Sequence, residues 1–295
     1  MARAISLAIL HQGLVRTYNE DNLYLLDSVA PASRSANYEH SAVSSDGIQL
    51  YAVTDGRGGP DVGDAAALAA LRIIDQQKKQ LRSGSRLDFL SFAKEVLDLA
   101  NRSIHDLLVP QAGLPAGTTL SLLAIDRDIA YTLSLGNSRI YLCRNGRLSR
   151  LTEDRDNRLP DRGRLTRYRG QFSEDLTPEE INYSKTVLEQ GDVILLATDG
   201  LTEVVDDALL ADTLADPSAF VQQIRNLRTL ALHRGGNDNL ALIGIRIQDP
   251  KAEAAPRSAK TRRSAGRPYA GPRIRGSADL QADSRQYGWL RPIFF

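Results

Sequence analysis

Twice in this chain an apolar run stops at a threonine, an acid and a glycine. Ile48–Val53 leads into Thr54-Asp55-Gly56, and the run that starts at Gly191 ends in Thr198-Asp199-Gly200. Short apolar runs bounded by glycine read as buried strands. Such a strand delivers one carboxylate to a sheet edge, while the glycine turns the chain sharply and leaves its carbonyl bare. A carboxylate beside an exposed carbonyl suits a hard cation such as magnesium or manganese. Asp-Gly after a strand is by itself an ordinary turn. The pattern gains weight because Asp21 and Asp238 also stand where a turn meets a strand. If these strands pair, the four acids converge at one end of a layered fold. Four close carboxylates stay ionised together only with cations present.

The segments between these acids set the layers. Expected strands are Ile5–Leu10, Leu23–Leu26, Leu50–Thr54, Thr118–Ile125, Ala130–Leu135, Ser138–Arg144, the run into Thr198, and Leu240–Ile247. Asp126-Arg127-Asp128, Gly136-Asn137 and Asn145-Gly146 read as tight turns. A helix is expected over Asp61–Leu81, with Ala65, Leu68, Ala69, Leu71 and Ile74 on its apolar face and Asp61 or Asp64 in its first turn. Further helices are expected over Arg86–Leu108, Asp206–Leu214 and Pro217–Leu232. Residues 30–47 read as a loop, and the Arg-rich stretch 155–180 as a mobile surface flap. Short adjacent strands with two long helices inserted among them point to a layered α+β fold with antiparallel sheets, not to βαβ alternation.

The chain has 295 residues, 42% of them hydrophobic and 25% charged, which is ordinary globular composition. Net charge is +1, but it is unevenly spread. From residue 250 onward there are ten Lys/Arg against three Asp/Glu, leaving 27 against 33 before it. We therefore expect a domain over 1–249 and a basic tail over 250–295, disordered for want of apolar periodicity. The tail's last stretch, Tyr287–Phe295, is apolar enough to dock on the body or on a partner. The basic tail also raises nucleic-acid or anionic-surface binding as a separate reading. One cysteine, Cys143, excludes a disulfide within the chain. The N-terminus lacks an apolar signal core and no window nears 18 apolar residues, so a cytoplasmic protein without a membrane span is expected.

Glu20 and Asp21 sit at the mouth of the second strand, and neighbours in a strand face opposite ways, so at most one points directly at a shared site. Arg16 is near enough in sequence to reach an anionic ligand with its planar fork. His11, His40, His105 and His233 have no metal-ligand spacing. A Walker lysine loop is absent, and Gly56-Arg57-Gly58-Gly59 is a poor dinucleotide loop. Two oxygen-ligated divalent ions would instead lower the pKa of a bridging water and hold it for in-line attack on phosphorus, with no covalent nucleophile.

Six stretches, in order, resemble the metal-dependent protein phosphatase 2C (PPM) family in its short bacterial form. They are Arg16–Asp21, Val53–Gly59, Gly117-Thr118-Thr119, Leu165-Thr166-Arg167, Leu196–Leu201 and Asn237–Leu240, and the resemblance covers about residues 5–247. It implies an α-β-β-α sandwich, two antiparallel sheets flanked by helices. It also implies hydrolysis of phosphoserine and phosphothreonine in proteins with Mn2+ or Mg2+, opposite a serine/threonine kinase. Carried over, Asp55 would bridge two ions and Gly56 would lend its carbonyl. Asp199 and Asp238 would complete one ion, Glu20 and Asp21 would serve the other directly or through water, and Arg16 would hold the phosphate. The sequence departs from the family pattern twice. Asn137 replaces the Asp of Gly-Asp-Ser-Arg, which puts a third ion in question. Arg57 stands where Met or His is usual, adding positive charge that can bind substrate or repel a metal. These departures motivate an alternative, a catalytically weak module that binds phosphoproteins or a regulatory partner.

Overall fold

The strand β1 (Arg3–His11) lies inside a six-stranded antiparallel sheet. Across this first sheet the order is β10 (Arg147–Arg150), β9 (Arg139–Arg144), β12 (Val193–Ala197), β13 (Leu240–Asp249), β1 and β4 (Tyr38–Ser44). The second sheet runs β11 (Asn182–Val187), β8 (Ile129–Leu135), β7 (Leu120–Asp126), β5 (Gln49–Arg57), β2 (Asp21–Leu25) and β3 (Ser28–Val29). A short strand, β6 (Gly117–Thr118), pairs with the end of β5. The structure, a computed structural model, describes residues 2–31, 37–44, 47–59, 61–82, 84–108, 117–153, 182–216 and 219–251.

Alternation along the central strands builds three apolar layers. Tyr51 and Val53 of β5 point between the sheets, where they meet Ala241, Ile243, Ile245 and Ile247 of β13. Leu50 and Ala52 point the other way, onto α1 (Gly63–Gln80) and α2 (Phe89–Leu108), through Leu71, Ile74, Val96 and Leu97. Leu240 and Leu242 of β13 face α4 (Asp207–Ala215) and α5 (Phe220–His233), through Leu210, Ile224 and Leu227. A strand covered on both faces favours apolar residues along its whole length, and all five residues of β12, Val-Ile-Leu-Leu-Ala, are apolar and buried. The result is the expected α-β-β-α sandwich. α4 starts at Asp206, whose side chain accepts from Leu209 N at 2.9 Å.

Several expectations change. Residues 30–47 are not all loop, because β4 lies within them. It is an edge strand paired only with β1, so it carries polar residues and lacks the apolar signature of its neighbours. β10 and β11 are likewise edge strands, mostly polar, and neither is foreseen by the apolar pattern. The expected strand Thr118–Ile125 is broken at Thr119 into β6 and β7. A single helical turn, α3 (Asp199–Thr202), follows β12 directly. Asp64 occupies the first turn of α1, while Asp61 precedes it with a positive φ of 74°. The expected flap at 155–180 and the tail beyond residue 251 lie outside the described residues. Among the described residues no helix is long and apolar enough to cross a membrane.

Candidate metal centre

Both sheets send acids to one end of the sandwich. The second sheet contributes Asp21, the first residue of β2, and Asp55, near the end of β5; the two are register partners. The first sheet contributes Asp199, two residues past the end of β12, and Asp238, two residues before β13. A hydroxyl joins the sheets: Thr198 Oγ1 donates to Asp21 Oδ2 at 2.7 Å and accepts from Ala241 N at 2.9 Å. Thr119 braces Asp55, accepting from its main-chain N at 2.8 Å and donating its own N–H to the Asp55 carbonyl at 2.9 Å.

Close backbone approach sets the turns. A Cβ on Gly56 would lie 2.1 Å from the Gly63 carbonyl oxygen, and one on Gly200 would lie 1.8 Å from that of Asn239. Only glycine lets the start of α1 sit on the end of β5, and α3 on the turn carrying Asp238. These contacts explain the glycine in both Asp-Gly pairs.

Arg16, Glu20, Asp55, Gly56, Arg57 and Asp238 line a cleft of about 400 Å³. Asp21 and Asp199 border the same acids from the buried side, at 5% and 6% exposure. Glu20 and Asp21 do diverge: Asp21 turns inward to Thr198, while Glu20 lies in the cleft wall with Oε1 buried and unpartnered. Arg16 Nη2 donates to Asp238 Oδ2 at 2.8 Å from the cleft mouth. Arg57 places Nη2 3.7 Å from Asp199 Oδ2 and Nε 4.0 Å from Asp55 Oδ2. Asn137 Nδ2 donates to that same Asp199 Oδ2 at 2.8 Å. The two positions that depart from the family pattern therefore meet at one carboxylate oxygen.

Burial, then repulsion from Asp55, pushes the Asp21 carboxyl well above the usual carboxylate range, against the Thr198 hydrogen bond. Burial and then Asp199 do the same to Asp55, with Arg57 opposing. Asp199 is raised by burial and by Asp238, and held down by Asn137 and Arg57. Burial raises Glu20 too, against the pull of Arg16. This donor set is all oxygen, partly buried and mutually repelling, which is the chemistry of a hard divalent cation site. The unpartnered Glu20 Oε1 fits the same demand. Among the described residues, however, no three acidic, His or Cys side chains close around one point at metal-ligand spacing. The acids lean instead on Thr198, Asn137, Arg57 and Arg16.

All nine sequence-derived positions thus gather at one place. Residues without an assigned role hold them there. Asn239 accepts from Glu20 N at 2.9 Å and donates through Nδ2 to the carbonyls of Gln12 at 2.7 Å and Tyr18 at 2.8 Å. The Arg16 loop is thereby tied to the turn of Asp238. Thr198 and Thr119 hold carboxylates as described; the shared Thr-Asp-Gly of both strands was the available signal for the first.

The sequence pattern of the protein phosphatase 2C family matches residues 37–242. Protein phosphatase PhpP of Streptococcus pneumoniae is 25% identical over 241 residues, spanning 78% of this chain and 98% of PhpP. Serine/threonine protein phosphatase PstP of Mycobacterium tuberculosis is 29% identical over 257 residues, spanning 81% of this chain and 44% of PstP. The PstP catalytic domain, solved in complex with two manganese ions, superposes with a TM-score of 0.64 at 25% identity, covering 84% of this chain and 100% of that one. A four-layer sandwich with acids from both sheets at one mouth defines a metal-dependent phosphatase. This chain belongs to the protein phosphatase 2C family.

Proposed function

We propose that the chain removes phosphate from phosphoserine and phosphothreonine in proteins, using two divalent cations, Mn2+ or Mg2+. The observation that carries this reading is the convergence of Asp21, Asp55, Asp199 and Asp238 from two sheets beside Arg16. Asp55 would serve both ions and the Gly56 carbonyl one of them; Asp199 and Asp238 would complete one ion, and Glu20 and Asp21 would serve the other directly or through water. When bound, the cations supply positive charge and a water of lowered pKa for in-line attack on phosphorus. Arg16, half exposed and tethered by Asp238, holds two phosphate oxygens in its fork and orients the phosphoryl group. Arg57 adds a second guanidinium at the cleft wall, where it neutralises charge on Asp55, Asp199 and the incoming phosphate. Asn137 donates to Asp199 where the family pattern has an acid, so the proposal is made for two ions.

Substrates are phosphorylated proteins, and a serine/threonine kinase would supply them. The basic tail beyond residue 249 serves as a docking segment for a partner or an anionic surface, attached to a catalytic unit over 1–249. We assign the activity to the cytoplasm, where the buried thiol of Cys143 stays reduced. The test is phosphate release from a phosphothreonine peptide with manganese, magnesium or chelator, beside Asp199→Asn. Metal-dependent release that the substitution largely removes supports the reading. A folded protein with no metal-dependent turnover on several phosphopeptides would sink it and favour the binding module.

A further inference from the structure

Among the described residues the cleft is walled by charged side chains, glycines and Asn239. These walls suit a phosphate more than the apolar side chains of a peptide. Exposed apolar side chains flank Arg16, a residue of that wall, in the chain. Leu14 is 64% exposed, Val15 63% and Tyr18 44%, and these three surround Arg16 within five residues. The display is not slack chain. Leu14 N donates to the Gly236 carbonyl at 2.7 Å, Gln12 Nε2 to the Arg16 carbonyl at 2.6 Å, and Asn239 Nδ2 to the Tyr18 carbonyl at 2.8 Å. A loop held at three points presents its side chains in fixed directions. Large apolar groups kept in water at such a place mark a recognition surface.

We propose that Leu14, Val15 and Tyr18 form the substrate-docking rim, and that this phosphatase selects phosphopeptides with apolar residues beside the phosphorylated one. The inference rests on the phosphatase reading and deepens it. A phosphate seated on Arg16 brings its own chain over the same loop. An extended peptide advances about 3.3 Å per residue, so side chains one to three positions from the phosphoresidue reach Leu14 and Val15 on one side or Tyr18 on the other. Their burial there excludes water from the Arg16–phosphate pair and strengthens it.

The test uses the full chain with manganese and two phosphothreonine peptides that differ only in Leu and Phe against Ser at the flanking positions. The wild type is expected to favour the apolar peptide by about tenfold in kcat/KM, mostly through KM. Leu14→Ser with Val15→Thr, and separately Tyr18→Ser, should each shrink that ratio, and all three together should bring it near one. Thermal unfolding of each variant checks that it is folded. A wild type indifferent to the flanks, or variants that keep the preference, would overturn the proposal. So would variants that change only self-association in sedimentation, since the rim would then serve a second copy. Failure of the wild type to hydrolyse para-nitrophenyl phosphate with manganese overturns the phosphatase reading itself, independently of the rim.

Discussion

Thr198 shows how much one hydroxyl can hold. It is fully buried, donates to Asp21 of the opposite sheet and accepts from Ala241 of its own. Thr198→Val keeps the shape and removes both bonds, leaving an unpaired buried carboxylate oxygen and an unpaired N–H. We expect a loss of about 1–3 kcal/mol in urea unfolding. Manganese affinity, followed by calorimetric titration, should fall by about 10- to 100-fold, as for other residues that position metal ligands. Asp199 Oδ2 is the second focus, since Arg57 and Asn137 both approach it. A guanidinium about 4 Å from a carboxylate in a half-solvated site is worth on the order of 1–4 kcal/mol. Arg57→Met and Asn137→Asp should therefore each tighten manganese binding several-fold, and a calorimetric constant unchanged in both would show that neither side chain competes with the ion for Asp199. This meeting was not legible in the sequence. Positions 57, 137 and 199 are each noticeable, but nothing in their spacing says that they share one oxygen; only the packing of β5, β9 and β12 does.

At the scale of elements, the legible strands were those buried on both faces. β5, β7, β12 and β13 declare themselves by apolar stretches, Leu50–Val53, Leu122–Ile125, Val193–Ala197 and Leu240–Ile243, because a polar side chain is buried there only where it finds a hydrogen-bond partner, as Ser121 does with Ser134 and the Ser138 carbonyl. The illegible ones, β4, β10 and β11, sit at sheet edges and keep polar residues, so their pairing depends on a neighbour that the local sequence does not reveal. The single turn α3 was missed for a related reason: it exists because Gly200 can lie against the Asn239 carbonyl. The contact of α5 with β13 is close in the same way. A Cβ on Gly244 would fall 2.3 Å from Ile224 Cδ1. Gly244→Ala should cost about 1–3 kcal/mol through overpacking. Ile224→Ala removes both Cδ1 and Cγ1, which the added Cβ would meet at 2.3 and 2.5 Å, so the double variant should lose less than the sum of the two single losses. Urea unfolding of the four proteins measures the coupling, and strict additivity would show that the helix simply moves away.

For the molecule as a whole, the acid cluster links folding to protons and metal. Burial and mutual repulsion raise Asp21, Asp55 and Asp199 above 3.8, their ordinary value. Between the ordinary and the raised values the folded chain binds more protons than the unfolded one, so this contribution to stability is fully present below the former and lost as pH rises through the latter. In chelator, the melting temperature should thus decline from mildly acid to alkaline pH more steeply than with Asp21 and Asp55 changed to Asn. The stabilisation added by manganese should grow over the same range, since the ion binds the ionised acids. A manganese increment independent of pH would contradict the assignment of these carboxylates. β13 lies between β12 and β1 in the middle of its sheet, and Asp238 travels just ahead of it. A chain emerging from the ribosome leaves that central slot open until β13 (Leu240–Asp249) has been made. No prematurely terminated product that lacks this strand can assemble the acid cluster, and the enzyme is born inactive until residue 249 has been made.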